Sequence, residues 1–234
     1  MMVENVPVRL GNAEVELCSI GEAEVLLSYP DSLSPWLSAG EQRALAGLKT
    51  PKRKRDWLAA RLAAKRVIGR RMKALGRPAE PADIVIANHD TREPFVADED
   101  GDPDESLPIS LSHAGDYGAC ALGAPGTRIG MDLERIEPRD PAWRELMADD
   151  SELEPDVLAS SEALTRLWTA KEAVLKLLGV GLSVDLRGVM PRADGGVQLS
   201  GASLDRWNSL GANVIELHFT RYHDCCLTVA LSRR

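Results

Sequence analysis

Hydrophobic and polar residues recur with two different periods along the chain, and these periods predict its elements. Two-residue alternation at 13–17 and 23–27 predicts strands, and apolar runs at 83–87, 128–133, 214–220 and 225–231 predict others. Apolar runs at 108–112 and 117–122 flank a turn-like 113–116, which predicts a hairpin. The strands therefore fall in both halves of the chain.

Three segments have helical patterns instead. Residues 52–75 are rich in Ala, Leu, Lys and Arg around an apolar stripe, and Gly76 ends this predicted long helix. Residues 160–178 form a second predicted helix, which Gly179 stops. Ser38 and Glu41 have the spacing of a capping box, which predicts a short helix to Leu48. Residues 138–155 are expected to be irregular.

The two halves resemble each other in element order and, faintly, in sequence. Four residues coincide at one offset, Arg55, Trp57, Ala59 and Lys65 with Arg166, Trp168, Ala170 and Lys176. We therefore predict an α+β fold that is a pseudodimer of two similar halves, 1–124 and 125–234, divided near the glycines of 123–126. The cleft between such halves is the expected active site.

Charge adds a feature that the hydrophobic pattern hides. The 234 residues carry a net charge of −8, yet residues 49–77 hold twelve basic residues and one acid, a local balance of +11. The rest of the chain balances to −19. A basic segment in an acidic protein predicts an anionic ligand there.

Composition excludes several classes of protein. The 44% hydrophobic content argues against a wholly disordered chain, and no apolar run approaches the ~20 residues of a membrane span. The first ten residues lack the pattern of a signal peptide. Four cysteines without a CxxC pair argue against a disulfide scaffold or a zinc site. We expect a reduced, cytoplasmic protein that does not bind membranes.

Three acids are candidate metal ligands. Asp132 and Glu134 end a predicted strand, and a period of two places them on one face. Glu172 lies on the second long helix, four residues before Lys176. Carboxylates of this kind hold Mg²⁺, whereas a solvated strand end and an intrahelical ion pair explain the same residues without a metal.

Two other polar segments are ambiguous. His113 lies at a predicted strand–turn junction, where it either helps to hold an anion or is structural. The acidic residues 98–105 lack the spacing of an EF-hand and fit a solvated loop. Neither GxxxxGK[ST] nor a GxGxxG after a strand occurs, so the signatures of nucleotide triphosphatases and dinucleotide enzymes are missing.

Taken together, these segments resemble a known family. The run 130–134 (GMDLE), followed by 168–176 (WTAKEAVLK), is similar to the paired signature of the 4′-phosphopantetheinyl transferases. The Ser-His-Ala at 112–114 and the basic helix with Arg55 and Arg61 are similar to two further family elements. Length and apparent duplication resemble the larger, surfactin-synthetase-activator type, which implies a monomeric pseudodimer.

The resemblance implies an activity and roles for individual residues. Such enzymes transfer the phosphopantetheine arm of coenzyme A to a serine of an acyl or peptidyl carrier protein. It implies that Asp132, Glu134 and Glu172 hold Mg²⁺, that Glu172 also takes the serine proton, and that Lys176 contacts the pyrophosphate. It further implies contacts of the nucleotide phosphates with Arg55, Arg61 and His113.

One segment departs from the family pattern, and two rival functions use the basic helix differently. Where many members have Gly-Lys-Pro, this chain has Arg92-Glu93-Pro94, so Arg92 is the candidate replacement although a period of two aims it away. The rivals are a nucleic-acid-binding module and a catalytically silent coenzyme A-binding protein. The single aromatic residue in 49–77 argues against nucleic acid, and the three acids argue against a silent protein.

Overall fold

The chain folds into two compact units. The computed structural model describes residues 7–140, 144, 146–211 and 214–233. The units are Met1–Gly126 and Thr127–Arg234, so the division lies two residues after the predicted one. In each unit a long helix packs on an antiparallel sheet, which confirms the α+β class. The residues before Pro7, where the sequence predicted no signal peptide, and four residues of the predicted irregular stretch 138–155 lie outside the described residues.

The first unit is built on a four-stranded antiparallel sheet. Its order is β1-β2-β6-β5, and a separate pair, β3 with β4, lies outside that sheet. The predicted hairpin is confirmed, with a two-residue Gly115-Asp116 turn in which Gly115 has a positive φ of 56°. The strands are β1 (Val8–Leu10), β2 (Ala13–Ser19), β3 (Ile86–Asn88), β4 (Pro94–Val96), β5 (Ile109–Ala114) and β6 (Tyr117–Leu122).

Three α-helices accompany this sheet, and one of them corrects a sequence prediction. They are α1 (Ile20–Ser28), α2 (Ala39–Gly47) and α3 (Pro51–Ala74). Residues 23–27, predicted as a strand, lie in α1. The Ser19 side chain accepts a hydrogen bond from the Glu22 backbone N–H and so caps this helix, while Ile20 and Ala23 share its buried face. The capping box of Ser38 and Glu41 is present at α2, as predicted.

The long helix α3 forms the core of the first unit with its sheet. Thr50 caps its first turn, Pro51 occupies the first helical position, and apolar side chains such as Leu58 and Leu62 are fully buried. A Cβ atom on Gly118 of β6 would lie 2.3 Å from the Ala60 backbone nitrogen. The glycine therefore allows the helix to lie directly on the strand.

The second unit has a three-stranded antiparallel sheet of order β10-β11-β7 and a separate pair, β8 with β9. Residues 155–158, 189–191, 197–199 and 201–210 form elements that the sequence patterns did not predict, and the first three of these are only three or four residues long. The strands are β7 (Ile129–Arg135), β8 (Val189–Pro191), β9 (Val197–Leu199), β10 (Val214–Tyr222) and β11 (Cys225–Arg233). The helices are α4 (Pro155–Leu158), α5 (Ser161–Leu178) and α6 (Gly201–Leu210).

Helix α5 is held close to β7. Ser160 caps its first turn, and Gly179 ends it in the left-handed conformation with φ 68°. A Cβ atom on Gly130 of β7 would lie 1.9 Å from the Ala173 carbonyl oxygen and 2.5 Å from the Leu177 backbone nitrogen. Only glycine permits this approach, which sets the distance between the acids of β7 and those of α5.

A buried lysine on α3 ties the first unit together. The Lys65 ammonium lies 2.8 Å from Glu41 Oε2, 2.9 Å from the Pro81 carbonyl oxygen and 2.5 Å from the Ile84 carbonyl oxygen. Its side chain is fully buried, and so is nearly all of the Glu41 side chain. One ammonium thus joins α2, α3 and the loop before β3.

The second unit repeats this arrangement with a different lysine from the one predicted. Lys171 on α5 is fully buried, with its ammonium 2.8 Å from Glu152 Oε2 and 3.2 Å from the Leu186 carbonyl oxygen. Again a carboxylate before the long helix and a carbonyl after it meet one ammonium. The contacts of Lys65 therefore match those of Lys171, whereas the sequence pattern had matched Lys65 with Lys176.

Candidate active site

Strand β7 presents two carboxylates separated by one residue. Asp132 is buried and Glu134 is half-buried, and the alternation of a strand places both on one face. The Lys176 ammonium on α5 lies 2.7 Å from Asp132 Oδ1 and 3.0 Å from the Met131 carbonyl oxygen. The second unit therefore brings Lys176 to this pair of acids.

Two further side chains hold Glu134. Arg139 Nη2 lies 3.1 Å from Glu134 Oε2, and the Trp168 side chain hydrogen-bonds the same carboxylate. Burial and the nearby Asp132 raise the pKa of Glu134 above its ordinary value, whereas Arg139 and Trp168 oppose that shift. Glu134 is thus already bound on two sides by its own chain.

Glu172 on α5 completes the acidic trio. Its side chain is about nine-tenths buried, and its Oε1 atom has no hydrogen-bond partner among the described residues. Burial raises its pKa to about 7, and the charge of Asp132 adds to the effect, while Lys176 opposes it and Glu134 adds a smaller part. A carboxylate that is buried, repelled by two others and incompletely bonded favours a bound cation.

The donor set fits a hard divalent cation such as Mg²⁺. Three carboxylates supply the oxygen ligands that Mg²⁺ prefers, and the orphaned Glu172 oxygen leaves one of them available. In the part of the chain that the structure describes, no three His, Cys, Asp or Glu side chains are gathered into a ready-made metal cage. The cations Lys176 and Arg139 instead engage Asp132 and Glu134.

Arg61 of the first unit is a cation without a counter-ion among the described residues. It is 6% exposed, its guanidinium lies 3.6 Å from the centre of the Trp57 ring, and its Nε has no hydrogen-bond partner in the same set. Burial lowers its pKa to about 10, against a smaller opposing effect of Glu41. A buried guanidinium that lacks a carboxylate partner is costly for the fold alone and suits an anionic ligand.

Arg55 and His113 are already engaged with acids of their own unit. The Arg55 guanidinium bonds the Glu24 carboxylate, and His113 Nε2 lies 3.5 Å from Asp56 Oδ2. Both side chains are partly exposed. An anion at either residue would compete with a resident carboxylate.

Arg92 lies apart from the basic helix. It is an exposed residue of the β3–β4 turn with a positive φ of 70°, and its backbone N–H donates to the His89 carbonyl oxygen at 2.8 Å. Such a conformation is unusual for a residue with a side chain. The turn places Arg92 on the separate β3–β4 pair, whereas Arg61 and His113 belong to α3 and the main sheet.

Most of the charge of the basic segment is balanced inside the first unit. Seven of its twelve basic residues form ion pairs, most of them with acids far away in the sequence. The pairs are Lys52–Asp56, Arg55–Glu24, Lys65–Glu41, Arg66–Glu22, Arg70–Glu16, Arg71–Glu14 and Arg77–Asp104. The local balance of +11 therefore overstates the charge available to an external anion.

Sequence reasoning missed the two neighbours of Glu134. Trp168 was part of the recognised motif but received no role, and Arg139 received no mention. The indole N–H of a tryptophan is a hydrogen-bond donor only, so a Trp four residues before Glu172 on the same helix was an available signal. Arg139 follows Glu134 by five residues in a loop, where no periodicity indicates the direction of a side chain.

Comparison with known proteins points to one superfamily. Residues 128–228 match the family model of the 4′-phosphopantetheinyl transferase superfamily. This range contains the acidic trio, Lys176, Arg139 and Trp168. It covers most of the second unit and none of the first.

Curated relatives extend the match. The 4′-phosphopantetheinyl transferase AcpT of Salmonella typhimurium is 31% identical over 152 residues, which cover 61% of this chain and 69% of AcpT. AcpT of Salmonella typhi matches with the same values. A Synechocystis protein with a provisional assignment to the same activity is 29% identical over 161 residues, which are 66% of this chain but only 62% of that relative.

Two solved structures have weaker likenesses. A holo-acyl-carrier-protein synthase from Neisseria meningitidis gives a TM-score of 0.37 at 20% identity, covering 45% of this chain and 97% of that one. One from Bacillus anthracis, in complex with CoA (3′,5′-ADP), gives 0.38 at 20% identity, covering 49% and 96%. Scores this low bear on neither the fold nor the function of this chain. On the sequence relatives, the chain belongs to the 4′-phosphopantetheinyl transferase superfamily.

Proposed function

We propose that this chain transfers the 4′-phosphopantetheine arm of coenzyme A to a serine of an apo acyl or peptidyl carrier protein, in a reaction that depends on Mg²⁺. Family membership supports the reaction class. The observation that carries the site is the buried Glu172 carboxylate, with an oxygen unpartnered among the described residues, close to Asp132, Glu134 and Lys176. The four side chains lie on two adjoining elements, β7 and α5.

The proposed transfer is a substitution at phosphorus. The serine hydroxyl oxygen forms a bond to the phosphorus atom that carries the pantetheine arm, and the bridging P–O bond breaks. Adenosine 3′,5′-bisphosphate leaves with the electron pair of that bond. Asp132, Glu134 and Glu172 would hold Mg²⁺, which when bound neutralises charge on the diphosphate.

Glu172 and Lys176 have complementary roles in this proposal. Carboxylates placed beside a reacting hydroxyl can accept its proton, so Glu172 would take the serine proton, directly or through water. Lys176 lies beside Asp132, from which its ammonium can reach a phosphate oxygen and stabilise the leaving group.

The cations of the first unit would bind the nucleotide phosphates. Arg61 is the best candidate, because its buried guanidinium lacks a counter-ion among the described residues. Arg55 and His113 would exchange their carboxylate partners for phosphate oxygens. Arg92, on the separate β3–β4 turn, is a further candidate for a contact with these phosphates.

The proposal also covers the architecture and the setting of the protein. The repeated lysine arrangement supports descent of the two units from one duplicated unit, as expected for a pseudodimer. The monomeric state and the cytoplasmic location implied by the sequence remain part of the proposal. None of the described helices is long and apolar enough to cross a membrane.

A mass measurement tests the proposed function. Purified apo acyl and peptidyl carriers are incubated with the chain, coenzyme A and Mg²⁺, and a carrier should gain the mass of one phosphopantetheine arm. Glu172→Ala should slow this transfer by about 10²-fold or more. Glu162→Gln is the matched control, because Glu162 is a surface residue of the same helix, paired with Arg221. Absence of any mass gain with active carriers, or full activity of Glu172→Ala, overturns the proposal.

The rival basic-helix functions lose support from the structure. A nucleic-acid surface needs exposed cations, yet seven basic residues of 49–77 are paired with acids of the same unit. A silent coenzyme A-binding protein has no use for an acidic trio in which a buried Glu172 oxygen has no partner among the described residues. We therefore propose no nucleic-acid partner.

A further inference from the structure

The loop that follows β7 returns an arginine to the acidic trio. Arg139 Nη2 lies 3.1 Å from Glu134 Oε2 and 3.1 Å from the Arg135 carbonyl oxygen, and Nη1 lies 3.4 Å from Glu137 Oε1. The side chain is 16% exposed. The guanidinium is therefore held in place by three oxygen atoms and directed at one of the candidate metal ligands.

Each strand carboxylate of the trio thus has a cation of its own. Lys176 engages Asp132 at 2.7 Å, and Arg139 engages Glu134 at 3.1 Å. The two cations leave the three carboxylates with a formal charge of −1. They thereby reduce the repulsion among the carboxylates before any metal binds. Glu172 Oε1 has no hydrogen-bond partner among the described residues.

A divalent cation and a guanidinium cannot share Glu134 without cost. Both are positive, so the approach of the metal to Glu134 weakens the Arg139 contact. Arg139 has alternative acceptors nearby in Glu137 and the Arg135 carbonyl oxygen, so it can leave Glu134 while remaining on the loop. A released guanidinium is suited to bind phosphate oxygens with two parallel N–H donors.

We propose that Arg139 is a displaceable counter-ion of the metal site, which holds Glu134 until a divalent cation binds and then contacts the diphosphate of the substrate. The inference rests on the proposed function, since it takes Asp132, Glu134 and Glu172 as metal ligands. It assigns Arg139 to positioning Glu134 and to substrate binding, and it gives the residue no part in proton transfer.

Metal affinity separates this role from a merely structural one. Mn²⁺ binding to the wild-type chain and to Arg139→Gln is measured by calorimetry at neutral pH. We expect Arg139→Gln to lower the Kd for Mn²⁺ by about 5-fold, because the competing cation is gone, and to raise the KM for coenzyme A more than it lowers kcat. A structural support would instead weaken Mn²⁺ binding when removed.

Two variants complete the design. Arg187→Gln is the control, because Arg187 is an exposed arginine of the same unit paired with Asp185, and it should leave the Kd unchanged. Should Arg139→Gln fail to fold, Arg139→Met carries the test, since it also removes the positive charge, and its Kd should fall for the same reason. An unchanged or higher Kd in a folded Arg139 variant overturns the inference. Absence of Mn²⁺ binding to the wild type would instead refute the proposed metal site.

Discussion

Among single residues, Glu172 has a marked conflict between its charge and its surroundings. Its pKa is raised to about 7 from 4.5. Between these two pH values, and with divalent metals removed by a chelator, the folded chain therefore keeps a proton on Glu172 that the unfolded chain has lost. The free energy of unfolding should therefore fall as the pH rises from about 4.5 to 7. Above pH 7 the ionised carboxylate costs on the order of 3 kcal/mol.

Glu172→Gln should remove this pH dependence. With a chelator present, the variant should be more stable than the wild type at pH 8, and the difference should shrink toward zero near pH 5. Thermal or urea unfolding at several pH values measures it. Glu162→Gln, a surface substitution on the same helix, should show no such trend. A difference that stays constant from pH 5 to 8 would contradict the assignment of the shifted group.

Single residues also mark the limit of what the sequence could predict about the site. Asp132, Glu134 and Glu172 were visible because a strand period and a motif select them. Trp168 and Arg139 acquire their roles only when helix and loop meet Glu134, and residue type alone does not encode that meeting. The sequence also overestimates the available charge of the basic segment, because the acids that balance it are distant in the sequence. In the pair Arg71–Glu14, for example, the two residues are 57 positions apart.

At the scale of elements, two local sequence patterns in α1 predict different structures, a strand and a helix. Alternation of Glu with apolar residues predicted a strand at 23–27, yet Ser19 caps a helix there and Ala23 is buried with Ile20. A short run fits both periods, and the cap together with packing on α3 decides between them. The longer periodic segments, α3 and α5, were predicted to within a residue or two because each contains several turns of pattern.

The contact of α5 with β7 sets the geometry of the acidic trio, so Gly130 is a sensitive position. Gly130→Ala would place a Cβ atom 1.9 Å from the Ala173 carbonyl oxygen, against backbone that cannot rotate away. The helix must move, at a cost of about 2–3 kcal/mol in the free energy of unfolding. Because Glu172 precedes Ala173, divalent-metal affinity should fall as well.

Urea unfolding and Mn²⁺ calorimetry measure both effects. Gly47→Ala is the control, since a Cβ atom added at this position, at the end of α2, would meet no described atom within 4 Å. It should change stability by no more than about 1 kcal/mol. If Gly130→Ala left stability and metal affinity unchanged, close packing of α5 on β7 would not govern the site.

At the scale of the whole molecule, the match of Lys65 with Lys171 aligns the two long helices. The same alignment places Arg66 opposite Glu172 and Arg70 opposite Lys176. Arg70 pairs with Glu16 on β2 at 2.6 Å, as Lys176 pairs with Asp132 on β7 at 2.7 Å.

The two units therefore share a strand acid paired with a helix cation, and they differ at the third acid. Arg66 supplies a fixed positive charge where the second unit has Glu172, and its guanidinium bonds Glu22. Glu134 lies two residues after Asp132, and at the same distance after Glu16 the first unit has Cys18. Burial raises the pKa of the Cys18 thiol to about 12. A neutral thiol and an arginine are poor surroundings for Mg²⁺.

One divalent ion per chain is the expected stoichiometry. Calorimetry with Mn²⁺ should give one site, which Glu172→Gln weakens strongly and which Arg66→Gln leaves in place. If each unit held a metal ion, a second ion would bind, and Glu172→Gln would leave it untouched. The expectation follows from charge: in the second unit three carboxylates face only two cations, Lys176 and Arg139, whereas in the first unit Arg66 and Arg70 are each paired with one acid.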